Sequence, residues 1–450
     1  MKNNLKYGLH FKVVLCSLFT LFLVDNTYAQ SDSNDEDLKK QKKVLDNLTY
    51  QQQSGLPVAA SKIYFSDSKY TISGFGESNY IHYNGPKNRA SNDLELYNTN
   101  LQRFVIYGAY KPTDWLVLYG EFFAEFVNDG REESHFEYLP EVFVDFLLTP
   151  QFNVRVGSHQ PGIGYINNND EPILFNTVNR PEVERILIPS QWIDMGIMTY
   201  GNLTDELKWS ASVYQGLDAN NLNGATWIRR GRDNTLRFNF NSAVFNSKIQ
   251  YTGIKNTELS ISGLYTQLGR GEEIFSLGTP TQVNANTLLT SAYIRHTHKN
   301  WTVMALGTYG QINNTEQLYH LTASSEIGPQ VLGKQVYGFY TEVSYDILPL
   351  LGFNKKKEGS MNNIIYKREE VKLPVFARIE RLNTHASITE ALQNAERNQS
   401  DMTVLSLGVN FFTKRNIVLK ANYQFRWNKE PLPSGEFEGD RVEFGVGFIF

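Results

Sequence analysis

The sequence predicts an all-β chain: a transmembrane antiparallel β-barrel of about sixteen strands, preceded by a signal peptide and a short polar N-terminal segment. Three observations predict it. First, in the last ten residues Val442, Phe444, Val446, Phe448 and Phe450 alternate with Arg441, Glu443, Gly445 and Gly447. A strand points successive side chains to opposite faces, so this stretch has one apolar face and one polar face. Second, it ends on an aromatic residue, as strands of outer-membrane barrels do, with apolar groups toward lipid and polar groups toward a wet lumen. Third, the same alternation recurs along the chain, between connections that are short and long by turns.

The N-terminus is consistent with export. Lys2, Lys6 and Lys12 precede the apolar run from Val13 to Val24, and Thr27-Tyr28-Ala29 offers a small-residue cleavage site before Gln30. Residues 1–29 therefore read as a secretory signal peptide. A membrane anchor is the alternative, but the run is short for a span and polar residues follow at once. A lipoprotein reading of Cys16 conflicts with the apolar run continuing past it. Cys16 is the single cysteine. A chain cleaved after Ala29 has no thiol, which excludes disulfides, thiolate catalysis and cysteine metal sites.

Net charge is −4 for the whole chain; residues 1–29 carry three lysines and Asp25, a net +2, so the remainder carries −6. That is not the balance of a nucleic-acid binder. Past residue 29 no apolar stretch approaches helix-spanning length, a test that barrels evade because alternate residues alone meet lipid. The 28 Phe and 25 Tyr favour strands and interfacial girdles.

Residues 30–69 read as a polar periplasmic lead-in. The charge run from Asp32 to Lys43 is solvated, and Leu38, Leu45 and Leu48 are compatible with one short helix or with a coiled-coil stalk. The segment is too short and polar to be the folded plug of an energised receptor.

The barrel is expected over 70–450. Leu116, Leu118, Phe122, Ala124 and Phe126 oppose Tyr119, Glu121 and Glu125; Val142, Val144 and Phe146 oppose Glu141 and Asp145; Val154 and Val156 oppose Arg155. Leu207 and Trp209 oppose Lys208 and Ser210, Ala292 and Ile294 oppose Ser291 and Arg295, and Val303 and Ala305 oppose Thr302. Val375, Ala377 and Ile379 oppose Arg378 and Glu380, Leu405 and Leu407 oppose Ser406, and Leu419, Ala421, Tyr423 and Phe425 oppose Lys420, Asn422, Gln424 and Arg426. Each run has about the ten residues that a tilted membrane strand needs. Sixteen strands result if Leu236 to Gly253 holds one interrupted strand.

Lys111 to Asp114, Thr149-Pro150, Asn202 to Asp205, His298 to Asn300 and Thr413 to Asn416 read as tight periplasmic turns. Tyr83 to Asn98, Asn128 to Phe136, Gly157 to Gln191, Gly216 to Asp233, Gly269 to Asn286, Gln311 to Lys334, Asn383 to Gln399 and Asn428 to Asp440 read as extracellular loops. Leu348 to Glu370, basic at Lys355-Lys356-Lys357, lies where a short turn is expected, and the sequence offers no physical account of its length.

Closure follows from physics. An unpaired backbone group in hydrocarbon costs several kcal/mol, so the sheet edges must join. Sixteen strands leave a lumen too wide for side chains alone to fill. The longest connection, 157–191, is punctuated by Gly and Pro and carries apolar residues that a surface loop does not need. It is expected to fold inward and narrow the pore; an external flap is the other reading.

Several motifs, taken in order, resemble one family. Gly157-Ser158-His159-Gln160-Pro161-Gly162, Pro189-Ser190-Gln191-Trp192-Ile193-Asp194-Met195-Gly196, Val336-Tyr337-Gly338-Phe339-Tyr340-Thr341-Glu342, Phe376-Ala377-Arg378-Ile379-Glu380, and Leu407 to Phe412 with Lys420 to Tyr423 look like the phosphate-selective porin O and P family, in its Bacteroidetes-type branch. The resemblance covers about residues 70–450. It implies a sixteen-stranded diffusion porin in the outer membrane, often a homotrimer, with the third loop in the channel and anion-attracting basic residues along the pore.

The alternation places Arg155, Arg237, Arg295, Arg378, Lys420, Arg426 and Arg441 in the lumen, and the 157–191 loop adds Arg180 and Arg185. Fixed positive charge attracts anions, and guanidinium suits phosphate. The lumen also receives Glu121, Glu125, Glu141, Asp145, Glu342, Glu380 and Glu443, while Glu182 and Glu184 flank the loop arginines. This departs from a clean basic ladder. Acids and bases could equally pair structurally or set up a transverse field across a narrow passage.

Catalysis, cofactors and metals are not expected. His296-Thr297-His298 sits at a turn and lacks further ligands. Ser158-His159 with Asp145 is the nearest approach to a hydrolytic set. Gly74-Phe75-Gly76 and Gly269-Arg270-Gly271 lack the strand–loop–helix context of a phosphate loop. The expected function is passive diffusion of small hydrophilic solutes, including anions such as phosphate, by a barrel whose partners are outer-membrane lipid and those solutes. A barrel-embedded hydrolase and a structural or adhesive closed barrel are the alternatives.

Overall fold

The computed structural model describes residues 48–89, 94–130, 134–137, 141–232, 242–276, 279–357, 362–432 and 434–450. The expected leader and the charge run up to Lys43 lie outside the described residues, as does Arg237. Thr49–Phe450 forms one compact unit.

Among the described residues nineteen strands follow in chain order: β1 (Tyr70–Asn84), β2 (Asn100–Thr113), β3 (Leu116–Asn128), β4 (Ser134–Glu137), β5 (Val142–Thr149), β6 (Phe152–His159), β7 (Asp194–Asn202), β8 (Leu207–Tyr214), β9 (Val244–Tyr251), β10 (Thr257–Leu268), β11 (Glu273–Ser276), β12 (Thr279–Gln282), β13 (Ala285–His298), β14 (Trp301–Ile312), β15 (Gln335–Asp346), β16 (Pro374–Ser387), β17 (Asp401–Lys414), β18 (Ile417–Asn428) and β19 (Asp440–Ile449). Among the described residues two short α-helices, α1 (Glu182–Ile186) and α2 (Thr315–Ala323), lie in long connections. No described helix is long and apolar enough to cross a membrane; the strands cross instead.

The strands make a closed antiparallel barrel of sixteen staves. β4 and β5 both pair with β3 and form one interrupted stave, while β11 and β12 pair with each other. Of the interrupted strand expected over Leu236 to Gly253, the described part is β9; the interruption that the structure describes falls between β4 and β5. Closure joins β19 to β1, with Tyr80 opposite Phe444 and Phe75 opposite Ile449. Gly74 and Phe450 exchange two backbone hydrogen bonds of 3.0 and 2.9 Å. Every stave therefore has two partners, as hydrocarbon requires.

The alternation sorts as read from the sequence. Phe122, Ile197, Ile261, Phe339, Ile379 and Phe444 stand on the exposed outer face, and Glu121, Glu125, Asp145, Arg155, Arg378, Glu380, Lys420 and Glu443 are buried on the inner one. The expected short turns all join adjacent staves at one end. The long connection between β15 and β16 shares that end. Asp346 pins its base by accepting from Leu348 N (3.3 Å) and Leu373 N (2.9 Å).

The expectation of polar groups toward a wet lumen does not hold along the whole inner face. Toward the long-loop end, β10 and β13–β17 turn apolar residues inward, among them Leu264, Leu289, Leu306, Leu382 and Val404. Ile163, Leu187 and Trp192 from the β6–β7 connection pack on them, as do Leu222, Trp227 and Ile228 from the β8–β9 connection. Two-residue alternation tells the faces of a strand apart but not what covers the inner one. Loops folded inward replace water there, and apolar inner positions are then buried at a gain.

Candidate functional site

The connection 157–191 builds the site. It leaves β6 and returns into β7, and its polar groups are tied to the inner faces of staves on several sides of the barrel. Near its start, Gly162 N donates to Asn246 Oδ1 (3.1 Å) on β9 and Gly164 N to Ser262 Oγ (3.2 Å) on β10. Lys248 Nζ donates to Asn168 Oδ1 at 3.2 Å. In the middle, Lys420 Nζ on β18 donates to the carbonyls of Phe175 (2.8 Å) and Thr177 (3.0 Å), and Val178 N donates to Asn422 Oδ1 (2.8 Å). In α1, Val183 N donates to Glu380 Oε2 (3.0 Å) on β16, and Glu184 accepts from Tyr340 OH (2.8 Å) on β15. Glu184 also accepts from the backbone of Tyr165 and Ile166 at 2.9 and 2.8 Å, which folds the segment onto itself.

The last stave is shaped for this segment. A Cβ at Gly447 would lie 2.4 Å from Pro172 Cβ, and one at Gly445 would lie 3.0 Å from Val178 Cγ1. Both glycines stand on the inner face of β19, where any side chain would occupy the space that Pro172 and Val178 fill.

The charged side chains gather in three groups. In the first, Glu182 meets Arg185 (2.6 Å), Arg426 (3.4 Å) and Arg441, while Arg426 also meets Glu438 (3.0 Å) and Arg441 meets Glu443 (3.3 Å). In the second, Arg378 bridges Glu342 (3.1 Å) and Glu380 (2.8 Å). In the third, Glu95 meets Arg180 (3.0 Å) and Arg229 (2.7 Å), and Arg103 meets Glu77 (2.7 Å) and Glu125 (2.5 Å). Burial pushes the Glu182 carboxyl up, but Arg185, Arg441 and Arg426 together hold it below the usual carboxylate range. Glu95 is lowered in the same way against its own burial, chiefly by Arg229 and Arg180.

Arg180, Arg185, Arg378, Arg426, Arg441, Glu182 and Glu380 thus come together with the segment as ion pairs, and Lys420 and Glu184 hold its backbone. Arg155 stands apart on β6, paired with Asp145 at 2.8 Å and stacked on Phe143 and Tyr200. Arg295 also stands apart, on β13 opposite Glu258. Arg103, Arg229, Glu77, Glu95 and Glu438 belong to the networks and escape a reading by alternation. Arg103 lies among apolar inner neighbours, Leu101, Val105 and Tyr107, and the others but Glu77 sit in connections, where a two-residue period carries no information.

The hydrolytic set is not assembled. Asp145 is engaged by Arg155, Tyr64 and Tyr200, and His159 Nδ1 lies 3.0 Å from the Gly157 carbonyl. Among the described residues, no group of three or more His, Cys, Asp or Glu is arranged to hold a metal ion.

Comparisons with known proteins bear on the fold. No family model matches the chain. A protein of Aquifex aeolicus described as uncharacterized is 27% identical over 385 residues, covering 83% of this chain and 79% of that one. Among solved structures, OmpF of Salmonella typhi in complex with daunomycin is similar at a TM-score of 0.51 and 9% identity, over 85% of this chain and 97% of that one. OprB of Pseudomonas putida is similar at a TM-score of 0.50 and 8% identity, over 89% of this chain and 100% of that one. With its closed sixteen-stave sheet, apolar outer face and these likenesses, the chain is a bacterial outer-membrane β-barrel with a porin-like fold.

Proposed function

We propose that this protein is a passive diffusion channel for small hydrophilic solutes, with the segment 157–191 as its narrow point. The observation that carries the reading is the tethering of that segment to staves β9 and β10 near its start and to β15, β16, β18 and β19 farther on, by charged, amide and hydroxyl side chains. A solute passing through the barrel must move along this polar seam, where fixed hydrogen-bonding groups replace part of its water shell.

The resemblance to phosphate-selective porins favours anions, phosphate among them. The ion pairs argue for weaker selectivity. Arg180, Arg185, Arg378, Arg426 and Arg441 each face a carboxylate, so little net positive field is left to concentrate anions. The resemblance also favours a homotrimer, which cross-linking in native outer membranes tests.

Single-channel recording in planar bilayers tests the function. Discrete conductance steps are expected, with a reversal potential in a KCl gradient close to zero. A strongly anion-selective reversal potential would restore the basic-ladder reading. The apolar packing of Trp192 and Trp227 inside the barrel favours a second reading, a structural barrel without an open lumen, and absence of steps would establish it.

A further inference from the structure

Residues 49–66 lie ahead of β1, in the stretch expected to be a polar lead-in, yet Leu56, Val58, Ala59, Ala60 and Ile63 are buried. The course of the chain explains it. The Tyr50 ring lies against the Arg415 guanidinium, 3.7 Å away, in the β17–β18 turn. Gln52 Nε2 donates to Asn169 Oδ1 (2.9 Å), and Gln53 Nε2 donates to Tyr200 OH (3.1 Å) on β7. At Gly55, with φ +77°, the chain bends past Arg155 and Met198, where a Cβ would sit 3.3 Å from each. Ala59 N then donates to Glu171 Oε1 (2.7 Å), and the Ala59 carbonyl accepts from Ser73 Oγ (2.6 Å) on β1. Tyr64 OH reaches Asp145 on β5, and Lys111 Nζ on β2 donates to the Ser66 carbonyl at 3.1 Å.

The path therefore starts at the β17–β18 turn, touches the β6–β7 wall and returns to β1, β2 and β5, all at the short-turn end. The segment is braced internally as well: Ser61 Oγ accepts from Gln53 N (2.9 Å) and donates to the Pro57 carbonyl (2.6 Å). On one side of it a cavity of about 360 Å³ stays open, where Gln51 to Gly55 face Lys208, Lys248, Gln250 and Glu258.

We infer that residues 49–66 form an internal strap across the short-turn, periplasmic mouth, that Glu171 is the catch holding it, and that solutes leave through the cavity beside Gln51 to Gly55. The strap's position stands on the contacts above; its effect on permeation rests on the channel reading. The catch couples the strap to the constriction, because Glu171 belongs to the 157–191 segment. A solute small enough to pass the polar seam then meets an amide-lined exit with two lysines and one glutamate. Release of the strap opens a wider exit without moving any stave.

Two readouts on the full chain test this, with Cys16 replaced by Ser. The first is labelling of Val58→Cys by a hydrophilic maleimide, compared with Asp114→Cys in the exposed β2–β3 turn. Because a buried site reacts through local opening alone, Val58→Cys is expected to label at least about tenfold more slowly than the control. Glu171→Ala should bring the two rates within about twofold, as the catch no longer limits opening. Labelling of Val58→Cys at the control rate with Glu171 intact would overturn the strap. The second readout is single-channel conductance, expected to rise about twofold in Glu171→Ala and in Ala59→Pro, which lacks the donating N–H. Heat-modifiable electrophoretic migration confirms that each variant keeps its barrel. Faster labelling with unchanged conductance overturns the gating role. Protected labelling with no steps in any variant overturns the channel reading while the strap stands.

Discussion

Arg441 on β19 and Glu182 at the start of α1 are ion-paired inside the barrel, 259 residues apart in sequence and both fully buried. The pair fastens the 157–191 segment to the stave that closes the barrel. Glu182 serves Arg185 and Arg426 too, so one carboxylate answers three guanidinium groups.

Loss of that carboxylate should therefore be costly. In Glu182→Gln, three buried arginines lose their shared counter-charge, and an uncompensated buried charge costs roughly 3–5 kcal/mol. The midpoint for unfolding in urea, followed by heat-modifiable migration, is expected to fall accordingly. The reversal potential should also move toward anions, since the residual field turns positive. An unchanged midpoint would mean that the first ion-pair group carries little of the fold.

Gly447→Leu should expel the segment without opening the barrel. The new side chain needs the space held by Pro172, while the outer face of β19 is untouched. Trypsin is expected to cut after Arg185 faster in this variant than in the parent, with the barrel still migrating as folded. Equal cleavage rates would show that the segment tolerates a filled position at Gly447.

Trp227→Ala tests the dry side of the lumen. Trp227 is fully buried and its indole N–H donates to the Gly333 carbonyl at 3.1 Å. Removal leaves a large cavity and an unmet acceptor, with an expected loss of about 3–5 kcal/mol in unfolding free energy. A loss below about 1 kcal/mol, the range of surface substitutions, would place water around Trp227 instead.

The Glu171 catch should respond to pH. Burial, with the neighbouring Asp170 charge, pushes its carboxyl up to about 8, against the pull of N–H groups from Val58, Ala59 and Ala60. The folded state thus keeps the proton that the unfolded chain releases near 4.5. The stabilising contribution of this group is complete below 4.5 and is lost as pH rises through 8. Unfolding midpoints should fall between pH 5 and about 8.5 in the parent, and fall less in Glu171→Gln. Parallel pH profiles would show that another group carries the dependence.

Local patterns reached far in this chain because a membrane barrel is built from one repeated local rule. Phe444, Val446 and Phe448 show it most plainly: hydrocarbon demands apolar groups at every second position, and no distant contact changes that. Lys111 to Asp114 and His298 to Asn300 were legible as turns for a like reason, since a tight reversal depends on its own few residues. Arg378 and Glu380 could be assigned to the inner face on parity, without knowledge of any neighbour.

Tertiary structure decided the partners. Glu182 meets Arg441, and Ala59 meets Glu171, through barrel closure and loop packing that bring distant segments within 3 Å or so, and no spacing along the chain encodes such a meeting. The same holds for the inner face of β10 and β13–β17. Leu264 and Leu289 obey the alternation, yet whether water or Trp227 covers them depends on where the loops come to rest. Parity along a strand is a property of the backbone; occupancy of the enclosed space is a property of the whole closed surface.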